Sequence, residues 1–258
     1  MSFPLIVLLG AIAGVTIVLG LPIGRVRAVG AAPRLVLSAA SVGILLFLVW
    51  DVLSHAWEPI DAALTEPHGA GVVALDGTVF GVGLAVGLVG LAFLERRIRR
   101  ARGEAELPPR HLALLIAAGI GVHNFAEGLA IGQSAVGGAL QLAVVLVVGF
   151  ALHNATEGFG IVAPLAGGPV RPSWGFLLIL ALIGGGPTVA GAALGAVVVS
   201  DVLSILFLTL AAGSIVYVIV QIVGSMARSR RPELVAVGIL AGAVAGFATD
   251  AVLTAAGA

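Results

Sequence analysis

The sequence predicts an all-α integral membrane protein with eight transmembrane helices. Three observations predict this fold class: the composition, the number of apolar segments of spanning length, and the placement of the basic residues. Of the 258 residues 60% are hydrophobic and only 10% are charged, and the mean hydropathy is +1.18. A soluble domain carries about 25% charged residues because its surface faces water. This chain is therefore suited to a surface that faces lipid.

The composition also excludes several functions. The formal net charge is zero, which argues against nucleic acid as a partner. The chain has no cysteine, which excludes disulfides, thiolate metal sites and thiol nucleophiles. Any metal must therefore bind through histidine, asparagine, aspartate, glutamate or backbone oxygen.

Eight segments are long and apolar enough for the roughly 20 residues that a spanning helix needs. They lie near 4–24, 35–54, 71–94, 112–134, 139–163, 174–199, 202–223 and 234–256. The first has no basic flank before it and continues into a second membrane segment, which argues against a cleaved signal peptide. Together they form a single transmembrane domain over 1–258, with a linker at about 95–111.

The basic residues orient the chain. All thirteen are arginine, and all fall in odd-numbered connections between spans. They are Arg25, Arg27, Arg34, Arg96, Arg97, Arg99, Arg100, Arg102, Arg110, Arg171, Arg228, Arg230 and Arg231. By the positive-inside rule the odd connections, including the linker, are cytoplasmic. Both termini are then outside, in a multi-pass protein of the cell membrane (the inner membrane where there are two).

Two spans carry ionisable residues in mid-membrane, where each costs about 2.5–3.5 kcal/mol on insertion scales. Both contain the motif His-Asn-x-x-Glu-Gly. The motif residues are His123, Asn124, Glu127 and Gly128 in the fourth span, and His153, Asn154, Glu157 and Gly158 in the fifth. The histidines lie at similar depth, because each is near the middle of its helix.

Spacing predicts one shared site. Histidine and glutamate four residues apart share a helix face. The two helices are antiparallel and joined by a short external turn, so we expect them to be neighbours. Together they offer two imidazoles, two carboxylates and two amides, enough for one divalent ion or for two ions bridged by carboxylates. The alternative is interhelical hydrogen bonding without metal, but a second copy at the same depth favours a metal or proton site.

The types of ligand atom limit which metal ions suit the site. Mixed nitrogen and oxygen ligands without sulfur fit Zn(II), Fe(II), Mn(II), Co(II) or Cd(II) better than Mg(II) or Ca(II). We expect the metal to be a substrate, with zinc first and iron, manganese or cadmium as alternatives. No organic cofactor is expected.

A further group of polar residues is predicted at the external side. Asp51 and His55 are four residues apart near the outer end of the second span, and Asp250 is near the outer end of the eighth. They predict a site at the mouth of a pathway, with helix capping at the membrane interface as the alternative. The second connection, at about 55–70, is predicted to be an acidic external loop.

The sequence HNFAEGLAIG in the fourth span followed by HNATEG in the fifth resembles the ZIP (Zrt-, Irt-like) metal transporters, in their prokaryotic form. The resemblance implies a 3+2+3 arrangement, with inverted three-helix repeats around helices 4 and 5. It also implies uptake of zinc or related ions toward the cytoplasm. Carried over by position, the ligands would be His123, Asn124, Glu127, His153, Asn154 and Glu157, with the two glutamates as bridges.

The chain departs from the family pattern at several positions. Ala126 and Thr156 stand where the motifs often have proline. The sixth span has Gly185 and Gly186 before a proline, where many relatives have a glutamate, and Gln221 in the seventh stands roughly where relatives carry an acid. These departures leave a strongly bound second ion and the relatives' usual inner exit site in doubt.

Two other functions remain as alternatives. One is an intramembrane metal-dependent hydrolase, because a metal with such ligands can activate water. The sequence lacks HExxH and a second catalytic group at that depth, so we do not expect an enzyme. The other is a proton-conducting membrane protein that uses histidine and glutamate as a relay. The oligomeric state stays open, with a homodimer among the possibilities.

Overall fold

The computed structural model describes residues 1–26, 30–67, 69–103, 106–137, 140–165, 171–227 and 229–255. Over this part of the chain the protein is helical, with eight α-helices, three short 3-10 segments and no strand. Arg27, His68 and Arg228, which the sequence places in connections, lie outside the described residues.

The eight helices follow one another with short connections. They are α1 (Phe3–Val15), α2 (Ala31–Leu64), α3 (Ala70–Arg102), α4 (Pro109–Val136), α5 (Leu140–Val162), α6 (Trp174–Gly195), α7 (Asp201–Met226) and α8 (Pro232–Ala255). In the described part of the chain, eight helical segments are long and apolar enough to cross a membrane, the first being α1 together with its 3-10 extension to Arg25. The prediction of an all-helical fold with eight helices long and apolar enough to span a membrane is therefore confirmed for the described residues.

Helix α2 is longer than its predicted span. It continues to Leu64, so that His55, Glu58 and Asp61 lie on a helix, and the prediction of a loop from residue 55 is wrong over this stretch. The reason is that Ala56 and Ile60, four residues apart, keep one face of the extension buried. The charged residues occupy other faces of the helix.

Helix α3 also continues beyond its predicted end at residue 94. It reaches Arg102, so the first half of the predicted linker is helical. The helix ends at Gly103, whose φ of 65° is the left-handed conformation typical of a helix C-terminus. Helix α4 then begins at Pro109, at the first helical position, where a missing N–H costs no intrahelical bond.

The first span changes its winding halfway. It is α-helical to Val15 and continues as two 3-10 segments, Thr16–Leu19 and Leu21–Arg25. At this point Gly20 lies against the backbone of α5, where its Cβ would collide with the carbonyl of Ala155 and the Cα of Gly158. The glycine permits a close approach of the two helices.

Glycine contacts also pair the longer helices. In α2, a Cβ on Gly43 would collide with the backbone of Ile239 on α8. In α7, a Cβ on Gly213 would collide with the backbone of Leu84 on α3. Helix α4 packs along α6, α5 and α7, and it is the most buried span, whereas α3 and α8 are the most exposed. The centre of the molecule is therefore occupied by α4, which carries the first motif.

Candidate metal centre

The candidate metal centre lies between α4 and α5. His123 stands midway between Pro109 and Val136, the ends of α4, and Glu127 follows one turn later on the same face. His153 and Glu157 repeat this spacing on α5. The two helices pack against each other, as their short connection predicts.

Three of the predicted ligands converge on one point. The Nε2 atom of His123 lies 3.0 Å from Oε1 of Glu127, and the Nε2 atom of His153 is a hydrogen-bond partner of the same oxygen. Within the described residues, His123, Glu127 and His153 each offer a ligand atom within 4.8 Å of the other two. The fourth residue, Glu157, has Oε1 at 3.7 Å from the Nε2 atom of His123. His123, Glu127 and His153 therefore form a candidate ligand set for a metal ion, with Glu157 beside it.

The site is almost closed to solvent. His123, Glu127 and Glu157 expose 1%, 5% and 2% of their surface. Only the side chain of His153 is partly open, at 14%. A buried carboxylate is costly unless a cation or hydrogen-bond donors satisfy it.

Several buried ligand atoms of this site have no hydrogen bond among the described residues. They are Nδ1 of His123, Oε2 of Glu127, both carboxylate oxygens of Glu157, and the Oδ1 atoms of Asn124 and Asn154, while Nε2 of His123 has its contact with Glu127. Buried polar atoms in proteins almost always have partners. A divalent cation accepts such lone pairs, so the donor chemistry and the burial fit a metal ion of the zinc, iron or manganese type.

The two asparagines have a different role from the histidines and glutamates. The Nδ2 atom of Asn124 donates to the carbonyl of Gly184 on α6 at 2.9 Å. The Nδ2 atom of Asn154 donates to the carbonyl of Ala13 on α1 at 3.1 Å. Each motif is thereby attached to a neighbouring helix through its amide nitrogen, while its amide oxygen stays without a hydrogen bond. The asparagines therefore hold the motif helices against α6 and α1.

Removal of these amides should weaken metal binding. We expect Asn124→Ala and Asn154→Ala each to lower metal affinity by about 10- to 100-fold, the usual effect of losing an outer-shell partner or one weak ligand. Isothermal titration of the purified protein with Zn²⁺ measures this. Gln133→Ala, a polar position on α4 six residues after Glu127, is the matched control and should bind as the wild type does. Equal affinity in all three variants would contradict the role assigned to the asparagines.

The motif glycines bring each motif close to the same helices. A Cβ on Gly128 would collide with the carbonyl of Thr188 on α6, and a Cβ on Gly158 would lie 2.8 Å from the Cα of Gly20, just after the first 3-10 segment. Without a side chain, the helix backbones approach closely. The two motifs thus use their asparagine and glycine in the same way, against α6 and against the first span.

Helix α6 contributes no acid. Gly185 faces α1, and a Cβ there would collide with the carbonyl of Gly14. A side chain at position 185 would therefore clash with α1, whereas a Cβ on Gly186, directly before Pro187, would meet nothing within 4 Å. Thr188 is fully buried and its hydroxyl has no hydrogen bond among the described residues. Sequence reasoning did not mark Thr188, because a lone threonine in an apolar span carries no signal.

The second predicted group, Asp51, His55 and Asp250, lines a cavity of about 480 Å³ between α2, α5 and α8. The Nδ1 atom of His55 donates to the carbonyl of Asp51 at 2.9 Å and lies 3.6 Å from its carboxylate. Glu58 and His153 line the same cavity. This α2–α8 cavity therefore leads from the polar end of α2 to the one partly open histidine of the metal centre.

The comparisons with known proteins do not assign the chain to a family. No protein-family model matches the chain, and a search of curated proteins finds no match.

Proposed function

We propose that this protein transports divalent transition-metal ions across the membrane, with zinc as the first candidate and iron, manganese or cadmium as alternatives. The proposal depends on one observation: His123, Glu127 and His153 converge, almost fully buried, in the middle of two membrane-spanning helices. Ionisable residues at such depth are rare and mark ion pathways. Nearby, Glu157 supplies a second carboxylate for the same ion.

Membership of the ZIP family, with its 3+2+3 arrangement, is part of this proposal. Support for inverted repeats comes from contacts that recur in the two halves. Asn124 binds α6 at Gly184 and Asn154 binds α1 at Ala13. Likewise α2 meets α8 at Gly43, and α7 meets α3 at Gly213. Each contact in one half has its counterpart when α1, α2 and α3 are exchanged for α6, α7 and α8.

The arginines give the orientation of the chain in the membrane, and the ZIP resemblance implies the direction of transport. With the arginine-containing connections in the cytoplasm, both termini and the α2–α8 cavity lie on the external side. The ion then passes the carboxylates of Asp51 and Asp250 before it reaches His153. Uptake toward the cytoplasm is the proposed direction.

The acids of the α2–α8 cavity should raise the local concentration of cations. We expect Asp51→Asn together with Asp250→Asn to raise the KM for metal uptake by about tenfold, with little change in kcat. The effect should be greater at low ionic strength, because salt screens charges that solvent reaches. Initial uptake rates in proteoliposomes at two salt concentrations measure it.

Asp61→Asn is the matched control for that pair. Asp61 lies on α2 as Asp51 does, but it is exposed and is not among the residues of the cavity. An equal rise in KM for Asp61→Asn would contradict a specific mouth site.

Reconstitution tests the function itself. Purified protein in liposomes should accumulate Zn²⁺ or Cd²⁺, reported by a trapped fluorescent indicator, when the metal is added outside. The same preparation should neither hydrolyse lipid or peptide nor carry a proton current without divalent ions. Hydrolysis would favour the metalloenzyme, and a metal-independent current would favour the proton conductor.

A further inference from the structure

The recurring contacts place two further pairs of residues in equivalent positions. Asp51 stands eight residues after Gly43 on α2, and Gln221 stands eight residues after Gly213 on α7. On the partner helices, Gly43 abuts Ala243 of α8, and Gly213 abuts Leu88 of α3. Asp250 and Glu95 each stand seven residues beyond those contacts.

A second cavity lies where this equivalence places it. It measures about 330 Å³, lies between α3, α4 and α7, and is lined by Glu95, Arg99 and Gln221 among others. We call it the α3–α7 cavity. Its helices are the counterparts of α8, α5 and α2, which form the α2–α8 cavity. The α3–α7 cavity is at the arginine-rich end of α3, so it faces the opposite side of the membrane.

The carboxylate of Glu95 is held in place from α7. Its Oε2 accepts hydrogen bonds from the Tyr217 hydroxyl at 3.1 Å and from Nε2 of Gln221 at 2.9 Å. Both donors are neutral, so they orient the carboxylate without cancelling its charge. Glu95 exposes 18% of its side chain, which leaves it open to the cavity.

Arg99 is the one cationic group paired with Glu95 among the described residues. Its Nη1 lies 3.5 Å from Oε1 of Glu95, one helical turn away, and 41% of its side chain is exposed. Its Nε is buried without a hydrogen bond. A pair of this length and exposure contributes little. A divalent cation can therefore displace Arg99 from the carboxylate.

We propose that the α3–α7 cavity holds a second cation site, centred on the Glu95 carboxylate, which receives the divalent metal ion on the cytoplasmic side. This inference rests on the proposed function for the identity of the ion. Gln221 and Tyr217 orient Glu95, and Arg99 competes with the ion for it. Glu106 also lines the α3–α7 cavity, and Glu58 lines the α2–α8 cavity beside the two aspartates, so each side of the membrane has a cavity with more than one acid.

The test uses full-length purified protein in which the two glutamates of the candidate metal centre and the two aspartates of the α2–α8 cavity are neutralised: Glu127→Gln, Glu157→Gln, Asp51→Asn and Asp250→Asn. Equilibrium dialysis with Cd²⁺ should still find one weak site in this background. Adding Glu95→Gln should weaken it at least about tenfold, the scale of losing a ligand or its support. Glutamine keeps an oxygen to accept from Tyr217 and Gln221, so the melting temperature should not change.

Arg99→Ala gives the sharpest comparison. If Arg99 competes with the ion, its removal should tighten Cd²⁺ binding about two- to fivefold, the scale of an exposed ion pair. If Glu95 and Arg99 only form a structural pair, Glu95→Gln and Arg99→Ala should change Cd²⁺ binding in the same direction. Absence of the weak site, no effect of Glu95→Gln, or weaker binding in Arg99→Ala would each overturn the inference.

A transport measurement separates this inference from the proposed function. In the otherwise unaltered protein, Glu95→Gln should lower kcat for metal uptake by about tenfold while the external KM stays the same. Uptake by Glu95→Gln equal to that of the wild type would overturn the second site and leave the transport proposal standing. Failure of the wild type to transport any divalent ion would overturn the proposed function, whatever Cd²⁺ binding shows.

Discussion

Metal uptake is expected to fall by at least about 100-fold when Glu127 and Glu157 are both replaced by glutamine, since losing even an outer-shell partner costs 10- to 100-fold. Glutamine keeps the size of each side chain and removes only the charge. Oε1 of Glu127 is the atom shared by the two histidines, and neither oxygen of Glu157 has a hydrogen bond in the described part of the chain. Without the two carboxylates, nothing in the centre offsets the charge of a dehydrated cation. Initial uptake rates in proteoliposomes measure the loss.

Folding of this double variant must be followed separately. The metal-free variant should melt close to the temperature of the wild type, because relief from burying two carboxylates and loss of the contacts between Glu127 and the two histidines oppose each other. Metal should stabilise only the wild type, by about 2.7 kcal/mol at 100 times its Kd. Glu66→Gln, an exposed position beyond the end of α2, is the control and should keep both uptake and metal-induced stabilisation. Wild-type uptake by the double variant would refute the assignment.

The second large effect is expected from a single methyl group on α5. Gly158→Ala should destabilise the protein by about 1–3 kcal/mol, as overpacking of a well-packed core does, and should lower uptake. The new Cβ would lie 2.5 Å from the carbonyl oxygen of Ile17 and 2.8 Å from the Cα of Gly20, so the backbone would have to shift to accommodate it. That shift would displace Glu157, the preceding residue. Thermal melting and uptake of the same preparation measure both consequences.

Gly160→Ala is the matched control, on the same helix two residues later. Its Cβ would meet the Cδ1 atom of Ile222 at 3.2 Å, the far end of a side chain that can rotate. We expect it to keep uptake and stability close to those of the wild type. If Gly158→Ala and Gly160→Ala behave alike, close approach at the motif glycine is not what positions Glu157.

Much of the architecture could be predicted from local patterns. Apolar runs of spanning length identify a membrane helix without knowledge of its neighbours, because the bilayer requires each spanning backbone to satisfy its own hydrogen bonds. Helix ends were less well predicted. Because Glu58 and Glu95 are charged, they were predicted to lie in connections between helices. Both lie within helices that continue past the apolar segment. Hydropathy indicates where a helix lies in lipid and not where it ends.

The metal centre was predictable in part for a similar reason. Spacing alone places His123 with Glu127, and His153 with Glu157, on single helix faces. The short connection between α4 and α5 makes the two pairs neighbours. The amide contacts of Asn124 and Asn154 were not predictable, because their acceptors are backbone carbonyls of distant helices, and every residue has one.

The sequence by itself determined the membrane environment, the eight helices and the identity of the buried polar residues, since composition and periodicity are properties of short segments. Only the tertiary structure decided which groups meet. The helix packing brings His153 to both Glu127 and the α2–α8 cavity, and it places Gln221 of α7 beside Glu95 of α3. Those contacts join residues far apart in the chain, and backbone approach at glycines such as Gly43 and Gly213 sets the distances between the helices that carry them.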